Sequence, residues 1–404
     1  MKKLIIILSA LLSAGSCEKF HLSNYFRNEV LNPGGSQGGQ PGAGNDTTLY
    51  LSAVMVPRNY DWRRDSAYGG AGCELMLLKN GVKAVSMSTG PAAEVSPNPS
   101  SHHIIGGHLY TEYSSSSGTV LRRDGVQVCR YDEPEVLYGI LPMGEQLYTL
   151  GMERDGDAVT LRRNGEPLLR QLSAVIFGGF SGAGSGPTGA LYEDDGHCCF
   201  CFRKGNDCYK VVDGVMERVN VVKSASGIAD MRIFRSGVYY TIVSPVQTLL
   251  YMPSSVTVMP SAYRWGGLEL FPADGELWFA GKGLRNSACH SVCAPVGSAS
   301  SPSDYRVFDG RDTFVYASGE DCYCVDISGG GVKVSDPGEA LCYTRDSCFF
   351  FTRSCAYAKG KTFYMALTPK EKELPPLIWK DGDGRPFDMN GYFTGMEVEV
   401  SQSN

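Results

Sequence analysis

Three features of the 404-residue sequence predict an all-β chain folded as a β-propeller of four-stranded blades. They are a two-strand unit that recurs about every 40 residues, a wealth of turn formers, and no helical period longer than a turn or two. The unit ends in an apolar strand, basic or polar residues and a glycine, as in LMLLKNG (75–81), TVLRRDG (119–125), VTLRRNG (159–165) and FCFRKG (200–205). Gly81, Gly125, Gly165 and Gly205 are spaced by 44, 40 and 40 residues. An aromatic strand precedes each: LYLSAVMV (49–56), HLYTEY (108–113), QLYTLGM (146–152) and ALYEDD (190–195). Asn-Gly and Asp-Gly suit a two-residue hairpin turn because both central residues need φ > 0. The 49 Gly, 22 Tyr and 17 Phe become turn and strand residues of this repeat.

Farther along, the paired strands persist as VYYTIVS with TLLYM, LWFAGKG with ACHSVCAPVG, TFVYASG with CYCVDISGG, and CFFFTRS with TFYMALTP. Two more short strands fit between successive pairs, as PLLRQ and SAVIFGG do in the third unit. Eight blades are therefore expected, with seven as the alternative because the fifth unit is loosely spaced. If 49–56 and 73–79 are the second and third strands of the first blade, its innermost strand is missing from the N-terminal side. The stretch YFTGMEVEVS (392–401), with Met396, Val398 and Val400 on one face, is expected to fill that gap and protect the exposed edges. Units between residue 48 and about residue 205 resemble the propeller repeats of a little-characterised family of secreted bacterial proteins, in which an LYVxG strand precedes an xxWKNG strand. That resemblance implies a fold and no activity.

The first 16 residues carry Lys2 and Lys3, an apolar run from Leu4 to Leu12 and small residues, and so read as a signal peptide too short to span a bilayer. Ala14-Gly15-Ser16-Cys17 resembles the lipobox of bacterial lipoproteins, with Ala14 where that family usually has Leu. The resemblance implies acylation of Cys17, hence a lipid anchor in the cell envelope, the outer membrane being favoured. GGSQGGQPGAGND (34–46) has nothing large to bury and reads as a flexible tether. The expected organisation is a signal peptide at 1–16, anchor and tether at 17–47, and one propeller at 48–404.

Net charge is −6, from 37 Lys and Arg against 43 Asp and Glu, with no basic stripe, so a nucleic-acid partner is not expected. Recognition residues belong on long loops, which are assigned to the face opposite the tight hairpin turns. Those loops comprise 57–72, 88–102, 259–265, about 297–305 and 380–391. Within them Tyr60, Trp62, Arg63, Arg64, Trp265, Asp381, Asp383 and Arg385 are the candidates for ligand binding, by aromatic stacking and Arg–carboxylate pairing. The competing role for Trp62 and Trp265 is to fill gaps between blades.

No catalytic set emerges. Gly-x-Ser-x-Gly is absent, and Asp230, Glu269, Asp309 and Glu339 are acids near inner strands without a paired geometry. Asp381, Asp383 and Asp388 offer hard oxygens but lack the spacing of an EF-hand loop. In His197-Cys198-Cys199-Phe200-Cys201, strand alternation places Cys198 opposite Cys199 and Cys201, and Cys-x-x-Cys spacing is missing, so no metal and no cofactor is expected. The remaining cysteines suit small apolar core positions, although pairs on neighbouring strands, or Cys289 with Cys293, could be oxidised. Asp46-Thr47-Thr48 and Asp65-Ser66-Ala67 resemble short O-glycan attachment sites. The expected function is an envelope lipoprotein that binds a glycan, peptide or protein. The alternatives are a glycoside hydrolase or lyase with carboxylates at the channel mouth, and a structural part of an envelope assembly.

Overall fold

The computed structural model describes residues 47–400 except 59–60, 62–71, 155, 179–188, 222–226, 262, 274, 286–287, 310–312, 319–320, 327–330, 336–342, 347, 350–354, 360–361, 372–373 and 382. Among the described residues the strands assort into eight antiparallel sheets, six of four strands and two of five. Within each sheet but the first, the strands follow chain order outwards. The second sheet, for example, runs His102–Ile105, His108–Ser115, Gly118–Arg123 and Val126–Tyr131. The fourth strand is the exposed one, as Val82–Ser88, Val215–Val219 and Ser255–Val258 show. The fold is the all-β propeller expected from the repeat.

Apolar side chains pack between sheets, and the clusters run round the ring in order. Leu75 and Tyr50 of the first sheet meet Leu109 of the second, and Leu121 of the second meets Leu137 of the third. Leu161 meets Phe200, Cys201 meets Met231, Leu250 meets Leu270, and Trp278 meets Cys324 at the next four junctions. A final cluster joins Tyr323, Phe363 and Leu51, returning to the first sheet. Closure is as expected. Gly391–Val400 lies antiparallel to Thr47–Met55, with Val398 opposite Leu49 and Met396 opposite Leu51. Met396 and Val398 are buried together with Tyr392 and Phe393.

The Asx-Gly of the repeat does more than turn the chain. Asn80, Asp124, Asn164, Asp213 and Asp381 all stand at φ between 45° and 53°. In each, the side-chain Oδ1 accepts a backbone N–H from the second strand of its own sheet, that of Leu49, Leu109, Leu147, Cys198 or Phe363, at 2.8–2.9 Å. The backbone N–H of each Asx donates back to the carbonyl of that same partner. A short side chain that tolerates the left-handed region and carries an acceptor is what this two-way clasp needs, which restricts the position to Asn or Asp.

The clasp corrects the reading of the fourth unit. Gly205 closes the turn from the second to the third strand, between His197–Lys204 and Asp207–Val212. The residue equivalent to Gly165 is Gly214, after Asp213, so the spacing is 49 residues, not 40. ALYEDD contains an innermost strand, Tyr192–Asp194, and not a second one. Two pairs near the C-terminal end are likewise first with second strands: Thr313–Ser318 with Asp321–Asp326, and, within CFFFTRS, Cys348–Phe349 with Thr362–Pro369.

The assignment of loops to faces also changes. Residues 296–305 join the third strand of the sixth sheet to its fourth, Arg306–Asp309, and so lie on the tight-turn face. Residues 381–382 do the same in the eighth sheet, between Leu377–Lys380 and Asp383–Pro386. The described loops at 88–102 and 387–390 connect one sheet to the next, and they keep the opposite face.

Candidate ligand-binding cleft

Tyr60, Trp62, Arg63, Arg64 and Glu339 lie outside the described residues, as do the N-terminal segment with Cys17 and the side chain of Asp309. Trp265 is buried, its ring centroid 5.4 Å from that of Tyr263 and 6.2 Å from those of Phe279 and Tyr305, within the apolar cluster that joins the fifth and sixth sheets. Asp381 is a turn clasp on Phe363. Arg385 pairs within its own hairpin with Asp383, at 2.8 and 2.9 Å. The structure does not bring Trp265 together with these three.

The acids near the inner strands are occupied. Asp230 is 3% exposed; its carboxylate accepts the N–H of Met231 at 2.8 Å and of Leu270, in the next sheet, at 2.7 Å. Burial pushes it up to about 7. Glu112 accepts the N–H of Leu137 across the second junction, and burial pushes it up to about 8, so the neutral acid prevails near pH 7. Glu135 is 1% exposed and meets both terminal nitrogens of Arg162 at 2.7 Å. Its carboxylate passes over Gly151, where an added Cβ would stand 2.2 Å from Oε2. The Arg162 guanidinium lies 4.3 Å from the ring centroid of Tyr131, in the second sheet. These groups tie neighbouring blades together.

The cysteine-rich strand alternates as expected: Cys198 packs towards the third sheet, Cys199 and Cys201 towards the fifth. Burial raises the thiols, Cys201 to about 12, which disfavours the thiolate that a metal requires. Among the described residues no group of three His, Cys, Asp or Glu side chains could hold a metal ion. Cys293 is joined to Cys322, between the sixth and seventh sheets, rather than to Cys289.

Concave polar surface occurs on the tight-turn face, between the third and fourth sheets. A cleft of about 530 Å³ opens there. One wall is the turn between Glu135–Met143 and Gln146–Glu153, contributing Met143, Gly144, Gln146 and Tyr148, with Arg163 beyond. The other is the turn after Tyr192–Asp194, with Glu193, Gly196, His197 and Asp213. Tyr148 is held by its hydroxyl, which donates to Gln146 Oε1 at 2.7 Å. His197 Nδ1 lies 2.6 Å from Asp213 Oδ2, and that hydrogen bond raises the imidazole above its ordinary range. His108 and Asp124 form the same pair at the same distance in the second sheet, so the dyad belongs to the repeat and not to a catalytic device. Arg163, Glu193, Gln146 and His197 place donors and acceptors around a partly apolar floor, a lining suited to a polar ligand.

Comparison with known proteins says nothing of this cleft. No protein-family model and no curated protein sequence matches the chain. Among solved structures, the chain is similar to the dihydro-heme d1 dehydrogenase NirN in complex with DHE, at 11% identity, 86% coverage of this chain and 74% of that one, and a TM-score of 0.47. AztD from Citrobacter koseri matches at 9% identity over 89% of this chain and 100% of its own, with a TM-score of 0.47. A quinonprotein alcohol dehydrogenase-like protein from Bacteroides thetaiotaomicron matches at 10% identity over 89% and 94%, with a TM-score of 0.36. Likenesses of this size carry no argument about activity, and the lining residues must speak for themselves.

Proposed function

We propose that the chain is a lipid-anchored envelope protein whose propeller acts as a binding module, taking a glycan or peptide in the cleft between the third and fourth sheets. The observation that supports this reading is the convergence there of Gln146, Tyr148, Arg163, Glu193 and His197 on an open space. The inner acids, by contrast, are already bonded to backbone or to Arg162. Tyr60, Trp62, Arg63 and Arg64, outside the described residues, are candidates for a second contact.

The full chain in mild detergent, displayed against a glycan and peptide array, is expected to retain specific ligands. The Gln146→Ala, Arg163→Ala double variant should bind those ligands at least tenfold more weakly, about 1.4 kcal/mol, with an unchanged melting temperature. Undiminished binding by that variant would remove the cleft from the function. The anchor rests on the signal-like residues 1–16 and on Ala14-Gly15-Ser16-Cys17. Cells fed a radioactive fatty acid should label the chain, and Cys17→Ala should abolish the label; labelling that survives the substitution refutes acylation at that residue.

A further inference from the structure

We infer that this cleft is built to seat a ligand carboxylate on the paired backbone N–H groups of Asp195 and Gly196. The inference deepens the binding reading and rests on it. Its warrant is a comparison of junctions within the ring. Where the first sheet meets the second, Glu397 reaches the inner hairpin turn of the second sheet and accepts from Gly106 N–H at 3.0 Å and Gly107 N–H at 2.7 Å. Where the fourth meets the fifth, Asp194 accepts from Arg235 N–H and Ser236 N–H at 2.7 and 2.8 Å. In both turns the two central residues have positive φ, 58° and 74° in one, 49° and 62° in the other, which aligns their N–H groups towards the preceding blade. Aligned amides of this kind form an anion-binding concavity.

The turn in the fourth sheet has the same conformation, with Asp195 at φ 50° and Gly196 at 79°. Here the preceding blade has no acid at the corresponding strand positions, and Glu145, in its inner turn, is exposed. Glu397 lies opposite Tyr50 in its sheet, and the residue in that relation to Tyr148 is Leu141. Met143 takes the place of Glu399 in the same way, opposite Gln146 as Glu399 is opposite Thr48. Among the described residues neither the Asp195 nor the Gly196 N–H has an acceptor. The space in front of them is open too. A Cβ at Gly107 would stand 2.7 Å from the Tyr50 ring, whereas one at Gly196 meets nothing within 4 Å. Tyr148, the counterpart of Tyr50, is held by Gln146, and Gly196 lines the cleft.

Two unpaired amides at the place where the ring elsewhere puts a carboxylate favour an incoming carboxylate. The acids nearby do not oppose it equally. Asp194 is spent on the fifth sheet, and Asp213 on His197 and the Cys198 N–H. Arg163 lines the cleft as a cation, and Glu193 asks for a hydrogen-bond donor on the same ligand. The ligand is thus a carboxylate with a neighbouring donor, a chemistry shared by acidic sugars and acidic peptides.

Calorimetric titration of the full chain with tri-galacturonate and its methyl ester, and with a glutamate tripeptide and its glutamine counterpart, tests the inference and separates the two sources. At least one acid should bind tenfold or more tightly than its neutral partner. Leu141→Glu should restore an internal carboxylate and weaken that acid at least tenfold, while Leu141→Gln keeps the affinity within threefold. Should Leu141→Glu fail to fold, the amide ¹⁵N resonances of Asp195 and Gly196 in the unaltered chain should shift on adding the acid. Absence of binding by both acids, equal affinity for acid and neutral partner, or unmoved Asp195 and Gly196 resonances each overturns the inference. Neutral probes that bind equally well but lose affinity in Arg163→Ala leave the cleft reading standing while the carboxylate falls.

Discussion

A chain ending at Asn390 should not fold. The missing strand buries Tyr392, Phe393, Met396 and Val398. At about 1.5–3 kcal/mol for each such side chain, its removal forfeits roughly 6–12 kcal/mol, comparable with the whole stability of about 5–15 kcal/mol expected of a domain. It also bares the edge of Thr47–Met55, whose register with Gly391–Val400 runs the full length of the strand, and unpaired edges template aggregation. Expression should yield insoluble material without a cooperative melting transition. A soluble truncate that melts cooperatively would show that the ring holds without its closing strand. Supplying 391–404 as a separate peptide should restore part of the fold if the loss is one of pairing alone.

Arg162→Met should cost about 3–5 kcal/mol in denaturant unfolding, the range for breaking one half of a buried ion pair. Glu135 would be left 1% exposed, its two oxygens deprived of the guanidinium, and burial already raises its carboxyl. Tyr131 would lose the cation over its ring. The double variant Glu135→Met, Arg162→Met should recover most of the loss, because an apolar pair needs no desolvation of charge. Equal destabilisation in the single and double variants would mean that shape at Gly151, and not the ion pair, sets the cost.

The fold was legible because its repeat is a local signal. Asn80, Asp124 and Asn164 announce hairpins wherever they fall, and alternation in Gly391–Val400 marks a strand in need of a partner. The phase of the fourth unit was not legible, because His197–Lys204 and Asp207–Val212 are joined by a glycine turn of their own, Gly205, which mimics the repeat glycine. That resemblance between two turns conceals the cleft in the sequence. In register with Gly214, Asp213 matches Asp124 and His197 matches His108, which gives the same dyad in two blades, and Leu141 matches Glu397. Trp265, by contrast, was conspicuous in sequence for the property that packs it, a large apolar ring, and no local signal separates a ring that fills a junction from one that meets a ligand. Which acids are spent depends on partners 25 to 40 residues away, as for Glu112 with Leu137 and Asp230 with Leu270, a distance at which sequence patterning is silent.

The closing strand also fixes where the chain enters the ring. Because Gly391–Val400 occupies the innermost place, the chain enters the propeller at Thr47, at the start of a second strand, and second strands begin on the tight-turn face. Under the proposed acylation, the 30 residues from Cys17 to Asp46 would connect the lipid to that face. The mouth between the third and fourth sheets lies on that same face, so the link would join the ring on the side where the cleft opens. Lengthening the link would then change how far from the bilayer the cleft can meet a ligand.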